Sequence, residues 1–339
     1  MIELIQNKQD WTKVLTEMGS FDFYHTHEYH SLLAKEGEQP LLIHYRSGDV
    51  QIAFTFLMRK INDRYFDLTS VHGYLGPFGR GMEAGFDNTQ FRASFENFLV
   101  EKNIVSVFSK LNPFVQGQDQ ILNSMGTIET IGELVYFDQT MDEVTQKSHY
   151  NRNTRQSLKK IQRVATVVES STPDDIDIFV EIYHKTMDRL NANKVFYFDH
   201  DYFRELMGSD LVNCKLWFAR HNATNDIIAA AFATQTGEIC HLELMATNEE
   251  YFNLSPSRIL YDHARSNLKG ERIKYLVLGG GSGGREGSLM RFKSSFTQNY
   301  VDLRIWKHII NPVLYESLQT DFQRSLDSSY FPKYRSPNR

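Results

Sequence analysis

Residues 278–296 have the sequence LGGGSGGREGSLMRFKSSF, a glycine cluster between an apolar run and an amphipathic segment. The run from Tyr275 to Leu278 predicts a short buried strand. Leu289, Phe292 and Phe296 recur at helical spacing and predict a helix after the glycines. The glycines therefore form a strand-to-helix turn, where backbone can approach a ligand closely. We expect the chemistry of this protein to lie near this turn.

Two phosphate-binding motifs are possible interpretations of the turn. A phosphate loop needs GxxxxGK followed by Ser or Thr, which is absent. Gly279, Gly281 and Gly284 do satisfy GxGxxG, and Asp302 follows at about the distance of a ribose-binding acid. Only a short helix and one strand-like run, Tyr300 to Trp306, come after it, which disfavours a dinucleotide fold. A flexible surface loop remains the alternative.

Six segments, taken in chain order, carry a resemblance to a known superfamily. They are DLTSVHGYLGP (67–77), FSKLNP (108–113), YNRNTRQSLKK (150–160), IYHKTMDR (182–189), HLELMAT (241–247) and the glycine turn ending in Phe292-Lys293. The chain resembles the acyltransferases of the GNAT fold, in the branch shared by the FemABX aminoacyl transferases and acetyltransferase-like proteins of polysaccharide gene clusters. The resemblance implies an enzyme that transfers an acyl group.

The predicted fold class is α/β with mixed sheets, arranged as tandem GNAT-like domains. Two hairpins support a doubled architecture: residues 41–56 turn around Ser47-Gly48-Asp49, and residues 215–233 turn around residues 222–226. The resemblance implies an N-terminal GNAT-like domain at 1–140, a basic connecting helix at 141–165 and a C-terminal acyltransferase domain at 166–339. Within the last, residues 326–339 predict a loose tail.

Composition narrows the class of protein. The net charge of -5 and the pI of about 6.2 argue against a surface built for nucleic acid, and we expect no DNA partner. Cys214 and Cys240 are the two cysteines, so a disulfide framework is not expected and a reducing compartment is natural. No signal-peptide core or run of about 20 apolar residues is present. We expect a soluble, cytoplasmic protein without membrane insertion, as a monomer or small homo-oligomer.

The resemblance also implies where an acyl donor binds. In the GNAT fold the donor lies across a splayed strand, which here matches Ile239 to Thr247, and its pyrophosphate meets the next helix, here about 255–268. The implied donor-binding residues are Met245, Ala246, Thr247, Ser255, Ser257 and Arg258. Backbone N–H groups at a helix start can hold phosphate. Ser and Pro before a helix are also ordinary capping residues, so that alternative stays open.

Three residues are catalytic candidates. His241 and Glu243 are two apart on a predicted strand and are expected to share one face. Either can be the base, and Glu243 is preferred because a carboxylate beside a cleft can have its pKa raised toward neutrality. Lys293 matches the functional lysine of the FemABX motif, which implies stabilisation of negative charge. The alternatives are a hydrogen-bonded strand residue and a solvent-facing helical lysine.

Acceptor-binding candidates lie in three places. Arg152, Arg155, Lys159 and Arg163 recur at spacings of three and four and form a basic stripe suited to a diphosphate; a solvated helix face is the alternative. Tyr74 offers an aromatic platform or fills the core. Gly281 and Arg285 lie on the glycine turn. No zinc pattern is present around His25, His27 and His30, so no metal is expected.

These features lead to a functional hypothesis. It is transfer of an acetyl or hydroxyacyl group from coenzyme A to the amine of a nucleotide-linked amino sugar, dTDP or UDP, for O-antigen or capsule synthesis in the cell envelope. Acyl-CoA is a co-substrate, and no tightly bound cofactor is expected. No long helical-hairpin insertion is visible, which disfavours tRNA. The alternatives are FemABX-type transfer from aminoacyl-tRNA to a peptidoglycan precursor and a non-catalytic nucleotide-sugar-binding protein.

Overall fold

A computed structural model describes residues 1–170, 172, 174–280, 287–325 and 330–337. Its strands are β1 (Ile2–Ile5), β2 (Glu38–Ser47), β3 (Val50–Lys60), β4 (Phe66–Thr69), β5 (Phe78–Arg80), β6 (Ile104–Lys110), β7 (Thr127–Asp138), β8 (Ala165–Glu169), β9 (Asn213–His221), β10 (Ile227–Thr236), β11 (Ile239–Thr247), β12 (Tyr275–Gly279) and β13 (Asn299–Ile309).

The helices alternate with these strands, in agreement with the predicted α/β class. They are α1 (Lys8–Met18), α2 (His27–Leu33), α3 (Thr89–Glu101), α4 (Gln118–Leu122), α5 (Glu143–Ser148), α6 (Arg152–Ile161), α7 (Asp175–Arg189), α8 (His200–Met207), α9 (Ser257–Asn267), α10 (Ser288–Lys293), α11 (Pro312–Ser317) and α12 (Asp321–Ser325). In the described residues, each helix is too short or too polar to span a lipid bilayer.

The first structural unit comprises residues 1–131 and 302–339. Its sheet has the order β1-β2-β3-β4-β6-β13, with β5 also on β3. Strands β4 and β6 are parallel, and the other pairs are antiparallel. Helix α3 buries Phe91, Phe95 and Leu99, which are four residues apart and so lie on one face. These three side chains pack with Phe54 and Trp306 in one core.

The second unit comprises residues 132–301 and holds the candidate site. Its sheet has the order β7-β12-β11-β10-β9-β8, and only β11 and β12 are parallel. One sheet face packs on α6 and α9. On α7 and α8, Phe179 and Phe203 pack against Phe232 of β10. Both predicted hairpins are confirmed, as the antiparallel pairs β2–β3 and β9–β10.

The units divide the chain differently from the predicted domains. Residues 302–339 pack with the first unit, because β13 pairs with β6 from Ile305 to Ile309. The predicted connecting helix is two helices, α5 and α6, and both belong to the second unit. Asn151 caps the start of α6, since its side chain accepts a hydrogen bond from the Thr154 backbone N–H.

The prediction of a loose C-terminal tail is wrong for the described residues 330–337. Asp67 is fully buried and binds the Arg335 guanidinium at 2.5 Å and the Arg59 guanidinium at 2.7 Å. The Tyr334 hydroxyl donates to the same carboxylate at 3.0 Å. Two cations and a hydroxyl compensate the desolvation of one buried carboxylate, so this segment is held to the first unit.

Candidate functional site

A β-bulge in β11 centres on Glu243. Leu242 pairs with Ala233 and Leu244 pairs with Phe232, so Glu243 is the extra residue of the bulge. A bulge interrupts the two-residue alternation of side chains. The period-two argument for placing His241 and Glu243 on one face therefore does not apply across this bulge, and their common face stays a prediction. His241 lies in the regular part of the strand, opposite Thr234, and is 2% exposed.

Strands β11 and β12 separate beside this bulge. Their parallel pairing runs only from Ile239 to His241 on β11 and from Tyr275 to Val277 on β12. The following part of β11, from Leu242 to Thr247, keeps its pairing with β10 on the other edge. Backbone groups at the freed edge of a strand need other partners, which makes such an opening a place for a ligand.

Glu243 acts electrostatically on two neighbouring groups. The pKa of the Tyr183 hydroxyl is raised, first by burial and then by the charge of Glu243. Burial lowers the pKa of Lys293, and the charge of Glu243 opposes this with a smaller upward effect. Glu243 itself is only partly buried. A carboxylate and an amine, carried by β11 and α10, thus face the same region.

Lys293 is held at the end of the glycine turn. Its Nζ donates a hydrogen bond to the Gly280 carbonyl at 2.8 Å. Burial lowers the pKa of this amine to about 8. Gly279 has a φ of 77°, which L side chains rarely adopt, and this explains a glycine at that position. The arrangement provides a cation with further N–H donors beside the separated strands.

The start of α9 differs in part from the expectation. Ser255 adopts a left-handed φ of 52°, Pro256 follows, and Ser257 begins the helix without a side-chain cap. Arg258 was expected to hold phosphate, but its side chain turns inward and is 8% exposed. Its guanidinium lies 4.9 Å from the Phe292 ring centroid and donates to Thr154. The phosphate role predicted for Arg258 is therefore not supported, because the cation is already buried among protein groups.

The donor-binding residues predicted on β11 lie at its C-terminal end. Ala246 is buried and pairs with Ala230, and Met245 packs against the core of the second unit. The Thr247 backbone N–H donates to the Thr186 hydroxyl on α7 at 3.1 Å. This bond ties the end of β11 to α7.

The predicted acceptor residues are not all in one place. Arg152, Arg155, Lys159 and Arg163 are exposed on or just after α6, as the basic stripe predicted, and Arg155 also donates to the Tyr150 carbonyl. Tyr74 belongs to the first unit and packs edge-on against Tyr24, with centroids 5.5 Å apart. Gly281 and Arg285 lie outside the described residues.

Several residues near the site were not predicted for it. Tyr183 lies in the IYHKTMDR segment, yet nothing in its spacing indicated a position near Glu243. Thr154 and Ser295 are small hydroxyl residues far apart in the chain, and their hydroxyls meet at 2.8 Å. Only the three-dimensional packing of α6 against the end of α10 brings them together.

Metal and thiol chemistry find no support in the described part of the chain. No group of three His, Cys, Asp or Glu side chains there is arranged to hold a metal ion. Burial raises the pKa of the Cys214 thiol to about 12, which suppresses its thiolate form. Cys240 is buried in β11. The groups near the separated strands are instead a carboxylate, an amine and a phenol.

Comparisons with known proteins identify the fold. Residues 148–294 match the family model described as an acetyltransferase (GNAT) domain. A crystal structure of FemX superimposes with a TM-score of 0.70 at 11% identity, covering 93% of this chain and 99% of that one. The C-terminal domain of a putative lysylphosphatidylglycerol synthetase from Agrobacterium fabrum gives 0.55 at 16% identity, covering 91% and 93%. No curated protein sequence matches significantly.

These matches confirm the predicted mixed α/β, GNAT-like fold. A conserved protein of unknown function from Bacteroides thetaiotaomicron shares it, with a TM-score of 0.58 at 11% identity, over 91% of this chain and 99% of that one. The matched domain spans the α6 helix, the separated strands and Lys293. The protein is an acyltransferase.

Proposed function

We propose that this acyltransferase moves an acetyl or short hydroxyacyl group from coenzyme A to the amine of a nucleotide-linked amino sugar. The observation that carries the proposal is the opening between β11 and β12, with Glu243 in a bulge on one side and Lys293 on α10. Amide formation needs a proton acceptor for the amine and a cation for the carbonyl oxygen. Both types of group are present at this opening.

The proposed reaction proceeds by direct transfer. Glu243 accepts a proton from the acceptor ammonium, directly or through a water molecule, and the free amine attacks the thioester carbonyl. The Lys293 ammonium stabilises the negative oxygen of the tetrahedral intermediate. The C–S bond then breaks, the attacking nitrogen loses its second proton, and the leaving thiolate takes up that proton. Glu243 releases the first proton to solvent. The products are an N-acyl sugar and free coenzyme A.

The basic face of α6 supports a diphosphate-bearing acceptor. Arg152, Arg155, Lys159 and Arg163 are exposed and follow one another at helical spacing. Guanidinium groups make forked hydrogen bonds to phosphate oxygens, and a nucleotide-linked sugar carries two phosphates. We therefore assign the acceptor diphosphate to this face, and propose dTDP or UDP as the nucleotide.

A coenzyme A donor is preferred to tRNA on structural grounds. The longest helix in the described part of the second unit is α7, with 15 residues, and no long helical hairpin is present there. The resemblance to the FemABX enzymes implies that use of tRNA is accompanied by a long helical hairpin. Its absence from the described residues is the observation that favours the smaller donor.

Mass spectrometry of reactions tests the proposal. A panel of acyl-CoA donors is paired with dTDP- and UDP-linked amino sugars, and free thiol is followed in parallel. We expect one pair to give a product heavier by the acyl group, with one thiol released for each product. If no pair yields product while the protein remains folded, the proposed substrates are wrong. The same panel with unaminated sugars serves as the control.

A second candidate is transfer from aminoacyl-tRNA to a peptidoglycan precursor. The specific observation in its favour is the density of exposed cations on α6, because a phosphodiester backbone is a polyanion. Salt separates the two functions. A tRNA-dependent reaction weakens steeply with added salt, whereas a coenzyme A reaction responds less.

A further inference from the structure

Arg258 carries a buried charge, and its contacts with the described residues are neutral groups. The guanidinium donates to the hydroxyls of Thr154 and Ser295, the latter at 3.1 Å. It lies 4.9 Å from the ring centroid of Phe292 and 5.6 Å from that of Phe296. Burial lowers its pKa. A cation in such a place costs desolvation, and hydroxyls with aromatic faces compensate it only in part.

The hydroxyl partners lead directly to the end of α10. Thr154 donates to the Ser295 hydroxyl at 2.8 Å, and Ser295 donates to the Phe292 carbonyl at 2.6 Å. The Asn151 backbone N–H donates to the Ser295 carbonyl at 3.0 Å. Arg258 is thus one member of a connected network that ties α6 and α9 to the last turn of α10.

Helix α10 needs such an attachment. It has six residues, and Gly287 at its start provides no side-chain cap. A helix of this length has little stability of its own in water, so its position depends on tertiary contacts. Arg258 contacts Phe292, and Lys293 is the next residue. The aromatic contact and the hydroxyl network both act on the turn that carries the amine.

We propose that Arg258 is a positioning residue, which fixes α10 so that the Lys293 amine stays beside the separated strands. This inference rests on the proposed function, because it assumes that Lys293 takes part in transfer. It differs from a phosphate-binding role, since the guanidinium never needs to meet a substrate. Its effect is transmitted through Ser295 and Phe292.

The test measures Lys293 directly. Lys293 is labelled with trace acetic anhydride across a range of pH in the full-length protein, and its modification is quantified by peptide mass spectrometry. The wild-type amine should show a midpoint near its pKa of about 8. In R258M the midpoint should move up toward 10.5, the ordinary lysine value, because a loosened α10 admits water to the amine.

Two further variants distinguish the effect of the geometry of the Arg258 side chain from the effect of a positive charge. R258K keeps the cation but cannot lie flat on Phe292 while bonding both hydroxyls, so its midpoint should also rise, by less. R291M removes an exposed cation from α10 itself and should leave the midpoint unchanged. If R258M fails to fold, S295A removes the shared hydroxyl and should shift the midpoint in the same direction.

Activity provides the second readout. R258M should lower kcat by about tenfold or more with KM within about threefold, because a small displacement of a catalytic group affects turnover more than binding. An unchanged labelling midpoint and kcat in folded R258M and S295A would overturn the inference. If instead K293M is fully active, the assumed role of Lys293 has failed, whatever Arg258 does.

Discussion

Lys293 and Gly280 are joined by a hydrogen bond of 2.8 Å from the lysine Nζ to the glycine carbonyl. The bond connects the last turn of α10 to the residue that follows β12, across the glycine turn. Among the described residues this bond uses one of the three N–H donors of the ammonium, which leaves donors for the oxyanion of the proposed reaction. The amine is therefore held in place before substrate arrives, which is the condition for electrostatic stabilisation without reorganisation.

Replacing Lys293 by Met should lower kcat by about a hundredfold, the usual effect of losing one oxyanion donor. The reason is that the ammonium stabilises the intermediate and not the ground state. Rates should be measured by thiol release at saturating substrate. K293R, which keeps a cation, should retain more activity than K293M. Equal rates for the wild type and K293M would exclude this role.

The pKa of Lys293 also predicts how relative stability varies with pH. Its folded pKa of about 8 lies below the unfolded value of 10.5, so the unfolded chain binds more protons between these values. Stability from this group therefore rises with pH across that window. The stability of the wild type relative to K293M should increase from pH 8 to pH 10, measured by urea unfolding. A constant difference would show that the amine is not desolvated.

Replacing Glu243 by Gln should lower turnover by about a hundredfold with little change in substrate affinity, as expected for a general base. Its charge raises the pKa of Lys293, so its loss should lower that pKa further. The fall in residual activity at alkaline pH should then begin at a lower pH than in the wild type. A pH–rate profile of both proteins measures this, and an unshifted profile would contradict it.

Much of the fold followed from local sequence patterns. The two hairpins and the strand before the glycines depend on alternation and spacing, which a single sequence displays. The helix near 255–268 was implied by the family resemblance. The site was harder to predict. The bulge at Glu243 depends on pairing with β10, and the inward turn of Arg258 depends on Thr154, about a hundred residues away. Contacts between residues far apart in the chain produce no periodic pattern in the sequence.

The C-terminal segment illustrates the same limit. Two prolines in residues 326–339 indicated a loose tail, because proline interrupts regular structure. The segment from 330 to 337 is instead held by Asp67, a residue that looks like any other strand acid in the sequence. The complete burial of the Asp67 carboxylate, which only the structure shows, explains why two cations bind it.

Arg265 should be a major contributor to the stability of the second unit. It is 1% exposed and donates to the Tyr150 hydroxyl at 2.8 Å, to Asp262 at 3.1 Å and to Gln146 at 3.1 Å. R265M leaves a partly buried carboxylate without this guanidinium and should cost about 3 kcal/mol in the free energy of unfolding. Urea unfolding measures the cost.

A matched substitution controls for the loss of charge. Lys274 forms an exposed pair with Glu238, and exposed pairs contribute little. K274M should therefore leave the unfolding midpoint unchanged. If R265M and K274M behave alike, the buried network does not stabilise the unit.

Asp67 should control the attachment of the C-terminal segment. D67N keeps the shape of the side chain but removes the charge that binds Arg59 and Arg335, so the segment should detach more often. Trypsin should then cleave after Lys333 and Arg335 several times faster than in the wild type, and the free energy of unfolding should fall by about 2 kcal/mol. Asp63 forms an exposed pair with the Lys60 side chain. Arg335 contacts the backbone carbonyl of Lys60, which D63N leaves in place, so D63N should leave cleavage unchanged. Slow cleavage in D67N, as in D63N, would mean that contacts other than the buried carboxylate hold the segment.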